Sequence, residues 1–170
     1  MDYFPSLYTP RLILRKLEVD DFPLLIKYAN NKKIADRITN MQYPYEEPQA
    51  VFRMRYIVEG FKQKSRYVFA ISLQNTEEFV GEISIHLWKA KEEAEIGYWL
   101  AEPFWGNGYA TEAIGRMLRF AFEKLEIERL IATTDVDNIA SAKALQKNGM
   151  KKESTRGKVE LYAIHKPQNS

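Results

Sequence analysis

Two glycines near the middle of the chain stand where a protein can bind an anion. Gly106 and Gly108 lie in the segment WLAEPFWGNGYATEA, between the end of a predicted strand and the start of a predicted helix. The first turn of a helix has backbone N–H groups without intrahelical partners, and the helix dipole adds positive charge there, so this position suits a phosphate. The same Gly-x-Gly pattern is also typical of a turn that only reverses the chain, and both interpretations stay open at this point.

Two well-known phosphate-binding loops do not fit this segment. The dinucleotide-binding fingerprint needs a third glycine at position 111, where the sequence has Thr111, and a parallel βαβ unit around it. The P-loop needs Gly-Lys followed by Ser or Thr, which is missing after Gly108. A phosphate site at this point must therefore belong to another kind of loop.

Hydrophobic periodicity predicts the elements that position the glycines. Helices are expected at residues 19–30, 32–38, 48–63, 110–125 and 138–148, and strands at 11–17, 67–73, 79–88, 94–101, 129–134, 151–155 and 158–165. The three consecutive strands in the middle are joined by short links, one of them at 89–93, and indicate an antiparallel meander. Because no repeat, linker or low-complexity segment interrupts this order, residues 1–170 are expected to form one α+β domain.

Two of these elements carry specific predictions about their faces. The buried stripe of the helix at 48–63 is expected to consist of Val51, Met54, Arg55 and Val58. Strand 79–88 is expected to alternate, with Phe79, Ile83 and Ile85 on one face and Glu82, Ser84 and His86 on the other.

The composition argues against several other kinds of site. The chain carries 25 basic and 23 acidic residues, and its net charge of +2 lacks the clustering of a nucleic-acid-binding protein. It has no cysteine, and its two histidines, His86 and His165, are far apart, so we expect no disulfide and no metal site. The N-terminal residues do not resemble a secretion signal, and no run approaches 18 apolar residues, so we expect a cytoplasmic protein without a membrane partner.

Four segments in this order carry a family resemblance: TPRLILRKL (9–17), AEIGYWL (94–100), WGNGYATEA (105–113) and NIASAKALQKNGM (138–150). Together they resemble the GNAT acetyltransferase superfamily and, within it, the branch of ribosomal-protein N-terminal (alanine/serine) acetyltransferases. The resemblance implies a GNAT-type fold, with a largely antiparallel, mixed central sheet of six to seven strands, splayed between the fourth and fifth strands and flanked by helices. It also implies direct transfer of an acetyl group from acetyl-CoA to a primary amine, without a metal.

The resemblance assigns the cofactor-binding residues. The family's diphosphate loop matches residues 105–110, where Trp105 replaces the usual Arg or Gln, so that a side-chain contact to phosphate is lost. The remaining donors are the backbone N–H groups and the Thr111 hydroxyl, within the set Gly106, Asn107, Gly108, Tyr109, Ala110 and Thr111. The pantetheine arm is expected to pair with backbone groups of Trp99, Leu100 and Ala101, as an added strand would.

The resemblance also implies residues on the second helix and on the strands. The family often has a tyrosine at the position of Leu145, where it protonates the leaving thiolate, and Ser141 is the substitute in the resembling branch. Asn138 is expected to bind the pantetheine amides, although helix capping explains both polar residues equally well. Glu95 is the candidate base, acting through water, with Glu82 and His86 as its rivals, and a backbone N–H near Leu100 is the candidate donor to the carbonyl oxygen.

The acceptor amine is less defined by the sequence. Residues 30–48 and the last hairpin are expected to border its cleft, and Met41, Tyr43 and Tyr45 either line that cleft or pack onto the following helix. Three functions remain: a protein N-terminal acetyltransferase, a small-molecule amine acetyltransferase (for an antibiotic, polyamine or metabolite), and a non-catalytic acyl-CoA-binding module. The chain is expected to act as a monomer or homodimer.

Overall fold

The computed structural model of the chain describes residues 3–88 and 93–167. The strands are β1 (Leu7–Tyr8), β2 (Leu12–Arg15), β3 (Arg66–Leu73), β4 (Phe79–Trp88), β5 (Glu93–Leu100), β6 (Arg129–Asp135), β7 (Lys151–Arg156) and β8 (Val159–His165). The helices are α1 (Phe22–Ala29), α2 (Lys32–Ala35), α3 (Glu47–Lys62), α4 (Tyr109–Lys124) and α5 (Ile139–Lys147). The turn predicted between β4 and β5 falls mostly on residues 89–92, outside the described residues.

All eight strands form one sheet in the order β1-β2-β3-β4-β5-β6-β8-β7. Neighbouring strands are antiparallel except for β5 and β6, which are parallel, so the predicted mixed, largely antiparallel sheet is confirmed. The sheet is larger than the predicted six to seven strands because Leu7–Tyr8 pairs with β2. A two-residue strand is too short to show a periodicity in the sequence.

The parallel pair opens into a wedge. Within the described residues, β5 and β6 pair only from Glu93 to Glu95 and from Arg129 to Ile131, although β5 continues to Leu100 and β6 to Asp135. This separation confirms the predicted splay. It was predicted between the fourth and fifth strands, which are named β5 and β6 here because the short strand β1 was not predicted. The wedge therefore opens towards the ends of the two strands, where α4 and α5 begin.

Helices cover both faces of the sheet. Helix α4 buries Ile114, Met117 and Phe120 in one large cluster with Ile83 and Ile85 of β4. A second cluster joins residues of α1 and α3, such as Leu25 and Ile57, to the opposite face of the sheet. Burial of side chains of this size stabilises the fold by about 1.5–3 kcal/mol each. Among the helices of the described ranges, none has the length and hydropathy that a bilayer crossing requires.

Two predicted faces were wrong in part. In α3, Met54 packs against the core as predicted, but the buried residues are Ala50, Ile57 and Gly60, whereas Val51 and Arg55 are exposed. At Gly60 the side chain of Arg66 crosses the helix, and a Cβ there would lie 2.1 Å from Arg66 Cγ, so only glycine fits at this position.

In β4, Phe79 packs with Trp99 on the face of α1 and α3 rather than with Ile83. The pairing with β3 shifts by one residue here, since Ile71 faces Gly81 and Ser72 faces Phe79. Val80 is the additional residue of this β-bulge, and a bulge reverses the alternation of the residues that precede it.

Candidate active site

The glycine loop joins the end of β5 to the start of α4. Gly106 and Gly108 have φ angles of 75° and 78°, in the left-handed region that favours glycine. The carbonyl of Gly108 accepts the first helical hydrogen bond, from the N–H of Glu112 at 3.1 Å. The N–H groups of residues 109–111 therefore belong to the first turn, which has no intrahelical acceptors for them. Since residues 106–108 are exposed, a ligand can reach this turn.

Side chains inside the loop hold its shape. The Asn107 amide donates to the carbonyls of Phe104 (3.2 Å) and Trp105 (3.0 Å). The indole N–H of Trp105 donates to the carbonyl of Leu100 at 2.7 Å. Trp105 thus ties the loop back to β5.

Arg11 braces the same loop and was not assigned to the site from the sequence. Its Nη1 donates to the Asn107 carbonyl (2.9 Å), its Nε donates to Glu112 Oε2 (2.7 Å), and its guanidinium carbon lies 4.6 Å from the centre of the Tyr109 ring. Thr9 Oγ1 donates to the other oxygen of Glu112 at 2.6 Å. Thr9 and Arg11 belong to the TPRL segment, but their contact with α4 joins parts of the chain that the sequence keeps apart.

The electrostatic state of Glu112 follows from these contacts. Partial burial by itself raises the pKa of Glu112, but the hydrogen bonds from Thr9 and Arg11 outweigh it and lower the pKa below its usual value. The carboxylate is therefore charged at neutral pH, and its position in the first turn of α4 is favourable to the helix dipole. Because Arg11 balances this charge, Glu112 leaves the start of α4 suitable for an anion.

The backbone of β5 presents alternate residues to the wedge. The N–H of Ala101 donates to Val80 on the side of β4 (2.8 Å), so the alternation of a strand turns the groups of Trp99 towards β4 as well. Leu100 and Tyr98 face β6 instead. Of the predicted set Trp99, Leu100 and Ala101, only Leu100 therefore turns its backbone to the wedge, and Tyr98 joins it.

Helix α5 forms the other side of the wedge. Asn138 caps this helix, since its Oδ1 accepts from the N–H of Ser141 at 3.3 Å. The hydroxyl of Ser141 is half-buried and lies 2.7 Å from the hydroxyl of Tyr98. Leu145, in contrast, is fully enclosed in the core. The cap explains the conformation of Asn138, whereas the hydroxyl of Ser141 has a partner on β5.

The state of Tyr98 is set mainly by its surroundings. Burial raises the pKa of the Tyr98 phenol, and the hydrogen bond with Ser141 lowers it by a smaller amount. The phenol is therefore neutral and able to donate near neutral pH. The sequence analysis did not assign Tyr98 to the site, although Tyr98 lies in AEIGYWL. The sequence alone does not show which residues of a strand point towards the neighbouring helix, because this depends on the pairing with the next strand.

The three candidate bases share the other face of the sheet. In the β4–β5 register, His86 faces Glu95, Ser84 faces Gly97 and Glu82 faces Trp99. Cross-strand partners lie on the same face. Ser84, between the two acidic positions, is buried, and its hydroxyl donates to the Gly97 carbonyl at 3.4 Å.

Glu82 is held by structural contacts. It is 3% exposed, it pairs with Arg53 Nη2 at 2.9 Å, and it accepts from the indole N–H of Trp99 at 3.0 Å. These contacts join α3 to the sheet, and removing one partner would leave a buried charge uncompensated. Because Glu82 is buried beneath these partners, an amine cannot reach its carboxylate.

His86 and Glu95 differ in their access to the wedge. Burial, and then the charges of Arg53 and Arg66, lower the pKa of His86, so its imidazole is neutral at pH 7. Glu95 is the last residue of β5 that pairs with β6, and its Oε1 accepts from Thr133 Oγ1 at 3.4 Å. Since Thr133 lies on β6 beyond the paired segment, the carboxylate of Glu95 stands at the closed end of the wedge.

Helix α2 and the residues around it approach both sides of the wedge mouth. Asn31 and Lys33 both bind Glu102, which follows β5. Arg37 pairs with Asp135 at the end of β6 (3.6 Å) and with the neighbouring Asp137 (3.0 Å). This segment therefore borders the open end of the wedge.

The three residues predicted either to line the acceptor cleft or to pack are divided. Tyr45 is 6% exposed and Met41 is partly buried, and both pack in the cluster of α1 and α3. Tyr43 is exposed. Within residues 3–88 and 93–167, no group of three or more His, Asp or Glu side chains is arranged to hold a metal ion.

Residues 11–151 match the protein-family model described as "Acetyltransferase (GNAT) domain". The chain is 29% identical over 176 residues to the uncharacterized N-acetyltransferase YoaA of Bacillus subtilis (strain 168), an alignment that covers 97% of this chain and 99% of that protein.

Two solved structures extend the comparison. One is RimJ of Mycobacterium smegmatis in complex with CoA-disulfide (TM-score 0.84, 22% identity, 96% of this chain and 88% of that one). The other is RimL, a ribosomal L7/L12 alpha-N-protein acetyltransferase, in complex with coenzyme A (TM-score 0.85, 21% identity, 95% and 98%). These similarities confirm the predicted GNAT-type fold.

Proposed function

The chain belongs to the GNAT acetyltransferase family, as its sequence predicted, and on this basis we propose that it transfers the acetyl group of acetyl-CoA to the α-amine of a protein or peptide N terminus. The observation that carries this proposal is the wedge between β5 and β6, which has the glycine loop at its mouth and Glu95 at its closed end. A thioester held in the wedge lies between groups from both strands.

The loop suits the diphosphate of acetyl-CoA. Backbone N–H groups of residues 106–111 lie at the start of α4, and the Thr111 hydroxyl adds a side-chain donor. A side chain at Gly106 would point into open space, so no neighbouring atom of the described residues excludes a larger residue there. The φ angle is the feature of the protein at this position that favours glycine. That open space is where we place the diphosphate.

Acetyl transfer requires a neutral amine, stabilisation of the carbonyl oxygen and a proton for the leaving thiolate. Glu95 is the base that removes the proton from the ammonium, through a water molecule. The N–H of Leu100, which faces the wedge, donates to the carbonyl oxygen as negative charge develops on it. Ser141, on the opposite side of the wedge, is the acid for the thiolate.

The charge around the wedge mouth favours a peptide acceptor over a polycation. The acidic residues there are already paired, Glu102 with Lys33 and both Asp135 and Asp137 with Arg37. A polyamine or aminoglycoside site needs several unpaired acidic groups, whereas these three carboxylates face two cations, which leaves one negative charge in excess. A peptide N terminus brings one charge and a backbone that hydrogen-bonds to strand edges.

A panel of acceptors tests this function. Release of the CoA thiol from acetyl-CoA is followed with peptides that begin with Ala or Ser, with the same peptides blocked at the N terminus, and with spermidine and an aminoglycoside. We expect turnover with the free peptides and none with the blocked ones. Faster turnover of a small amine would instead support a small-molecule acetyltransferase, and CoA binding without turnover of any amine would support a non-catalytic module.

A further inference from the structure

A pair of hydroxyl groups bridges the two sides of the wedge. Tyr98 comes from β5 and Ser141 from the first turn of α5, and their oxygens are 2.7 Å apart. Their contact joins β5 to α5 at the level where β5 and β6 no longer pair. A thioester entering the wedge must pass beside this contact.

Ser141 alone is a weak source of a proton. An aliphatic hydroxyl is a much weaker acid than a thiol, whereas a phenol, with an ordinary pKa of about 10, is close to a thiol at about 8.5. In the GNAT family a tyrosine often stands at the position of Leu145 and protonates the leaving thiolate. Leu145 has no acidic proton, and its side chain is fully buried. The phenol of Tyr98 lies one hydrogen bond from Ser141.

We propose that Tyr98 is a positioning residue for Ser141, donating a hydrogen bond to its oxygen and replacing the proton that Ser141 gives to the leaving sulfur. This inference rests on the proposed acetyl transfer. Asn138 binds the N–H of Ser141 and not its hydroxyl. Either hydroxyl of the Tyr98–Ser141 contact can be the donor, and in the proposed direction the serine oxygen accepts from the phenol, which leaves the serine hydrogen free to point into the wedge. The neutral state of the buried phenol is the state that this direction requires.

The step balances in atoms and charge. The amine nitrogen forms a bond to the acetyl carbon, and the bond from that carbon to sulfur breaks with its electron pair on sulfur. The proton of Ser141 moves to the sulfur while the proton of Tyr98 moves to the oxygen of Ser141. The ammonium gives up one proton before it attacks and a second one after the bond from nitrogen to the acetyl carbon has formed, and both leave by way of Glu95 and water. One of them is matched by the proton that the tyrosinate takes from the solvent to restore the phenol, and the other is the one proton released in each turnover.

The test combines Tyr98→Phe, Ser141→Ala and the double variant. Tyr98→Phe keeps the ring and removes the hydroxyl, so we expect kcat to fall about tenfold or more while KM for acetyl-CoA stays within about twofold, since general acid catalysis contributes roughly 10²–10⁴-fold. In the Ser141→Ala background the same substitution should change kcat no further, because its effect passes through Ser141. Tyr162→Phe is the control, since Tyr162 is also buried (2% exposed) but its hydroxyl donates to Glu160 and not to Ser141.

A solvent-isotope measurement gives a readout that packing alone does not move. If the protons of Ser141 and Tyr98 move in the same step, kcat of the wild type should depend on the deuterium fraction of the solvent along a curve. In Tyr98→Phe only the Ser141 proton moves, so this dependence should be linear. Wild-type kcat in Tyr98→Phe, or losses that add in the double variant, would overturn the role of Tyr98 and leave the transferase intact. A wild-type protein that turns over no amine would overturn the proposed function itself, and this inference with it.

Discussion

Arg11 and Glu112 are separated by 101 residues in the chain, yet the Nε of Arg11 lies 2.7 Å from the Oε2 of Glu112. This ion pair fastens the start of β2 to the first turn of α4, and the second contact of Arg11, with the Asn107 carbonyl, fixes the glycine loop. The loop is therefore shaped from outside as well as by its own glycines.

Removing this brace should weaken the binding of CoA. Arg11→Met loses one charge-assisted hydrogen bond to Glu112 and one to the loop, and we expect Kd for CoA to rise about fivefold or more, from about 1 kcal/mol of lost loop order. Titration calorimetry measures this change. Lys152→Met is the control, because it removes an exposed ion pair with Glu160 on the last hairpin, and it should leave Kd for CoA unchanged. Equal Kd values for the wild type, Arg11→Met and Lys152→Met would contradict the role of Arg11.

The two positive-φ glycines Gly108 and Gly157 allow a matched comparison. Their φ angles are 78° and 60°, so alanine at either position should cost about 1–2 kcal/mol of unfolding free energy. Only Gly108→Ala should also weaken CoA binding, since its Cβ would stand at the start of α4, 3.4 Å from Arg11 Nη2, whereas Gly157 lies in the turn between β7 and β8. Urea unfolding and CoA titration separate the effects, and equal CoA affinity in the two variants would remove the loop from the binding site.

Glu95→Gln tests the base. The amide keeps the size and hydrogen bonding of the side chain but does not take a proton, so we expect kcat to fall about 10²-fold or more with little change in CoA affinity. His86→Gln, at the paired position across the strands, should change kcat only a few fold. Rates are measured with the best peptide of the acceptor panel, and an undiminished kcat in Glu95→Gln would exclude this residue as the base.

The lowered pKa of His86 predicts a loss of stability in mild acid. The unfolded chain protonates histidine near pH 6.5, whereas the folded protein holds His86 neutral to lower pH because of burial and the nearby charges of Arg53 and Arg66. The unfolded state therefore binds more protons in this window, so the contribution of His86 is present above about pH 6.5 and is lost as the pH falls towards its folded pKa.

Urea midpoints from pH 7.5 to 5 measure this loss. The midpoint of His86→Gln should fall less than that of the wild type over the same range. His165→Gln is the control, because His165 is exposed at the end of β8, and its profile should follow the wild type. Parallel profiles for all three proteins would show that His86 does not contribute.

Local sequence patterns predicted the helices and strands. The features that they did not predict depend on contacts between residues far apart in the chain. The apolar spacing of α4 predicted its buried side, which includes Ile114 and Met117, because one helix face needs only one partner surface. Phe79 was placed on the wrong face because the bulge at Val80 arises from pairing with β3, which a single strand does not reveal.

The site shows the same division. The glycine loop was predicted from a short motif, since the φ angles of Gly106 and Gly108 are a local requirement. The contact of Ser141 with Tyr98 was not predicted, because the two residues are 43 positions apart in the chain. The contact of Asn107 with Arg11 was not predicted either, because these are 96 positions apart. Such contacts depend on how the elements pack, which no periodicity records.

A crystal structure of the protein with coenzyme A tests the central claim most directly. We expect the diphosphate oxygens about 3 Å from the backbone nitrogens of residues 106–111, and the sulfur between β5 and β6 within reach of Ser141. Density for coenzyme A at any other surface, or none at a saturating concentration, would contradict the account.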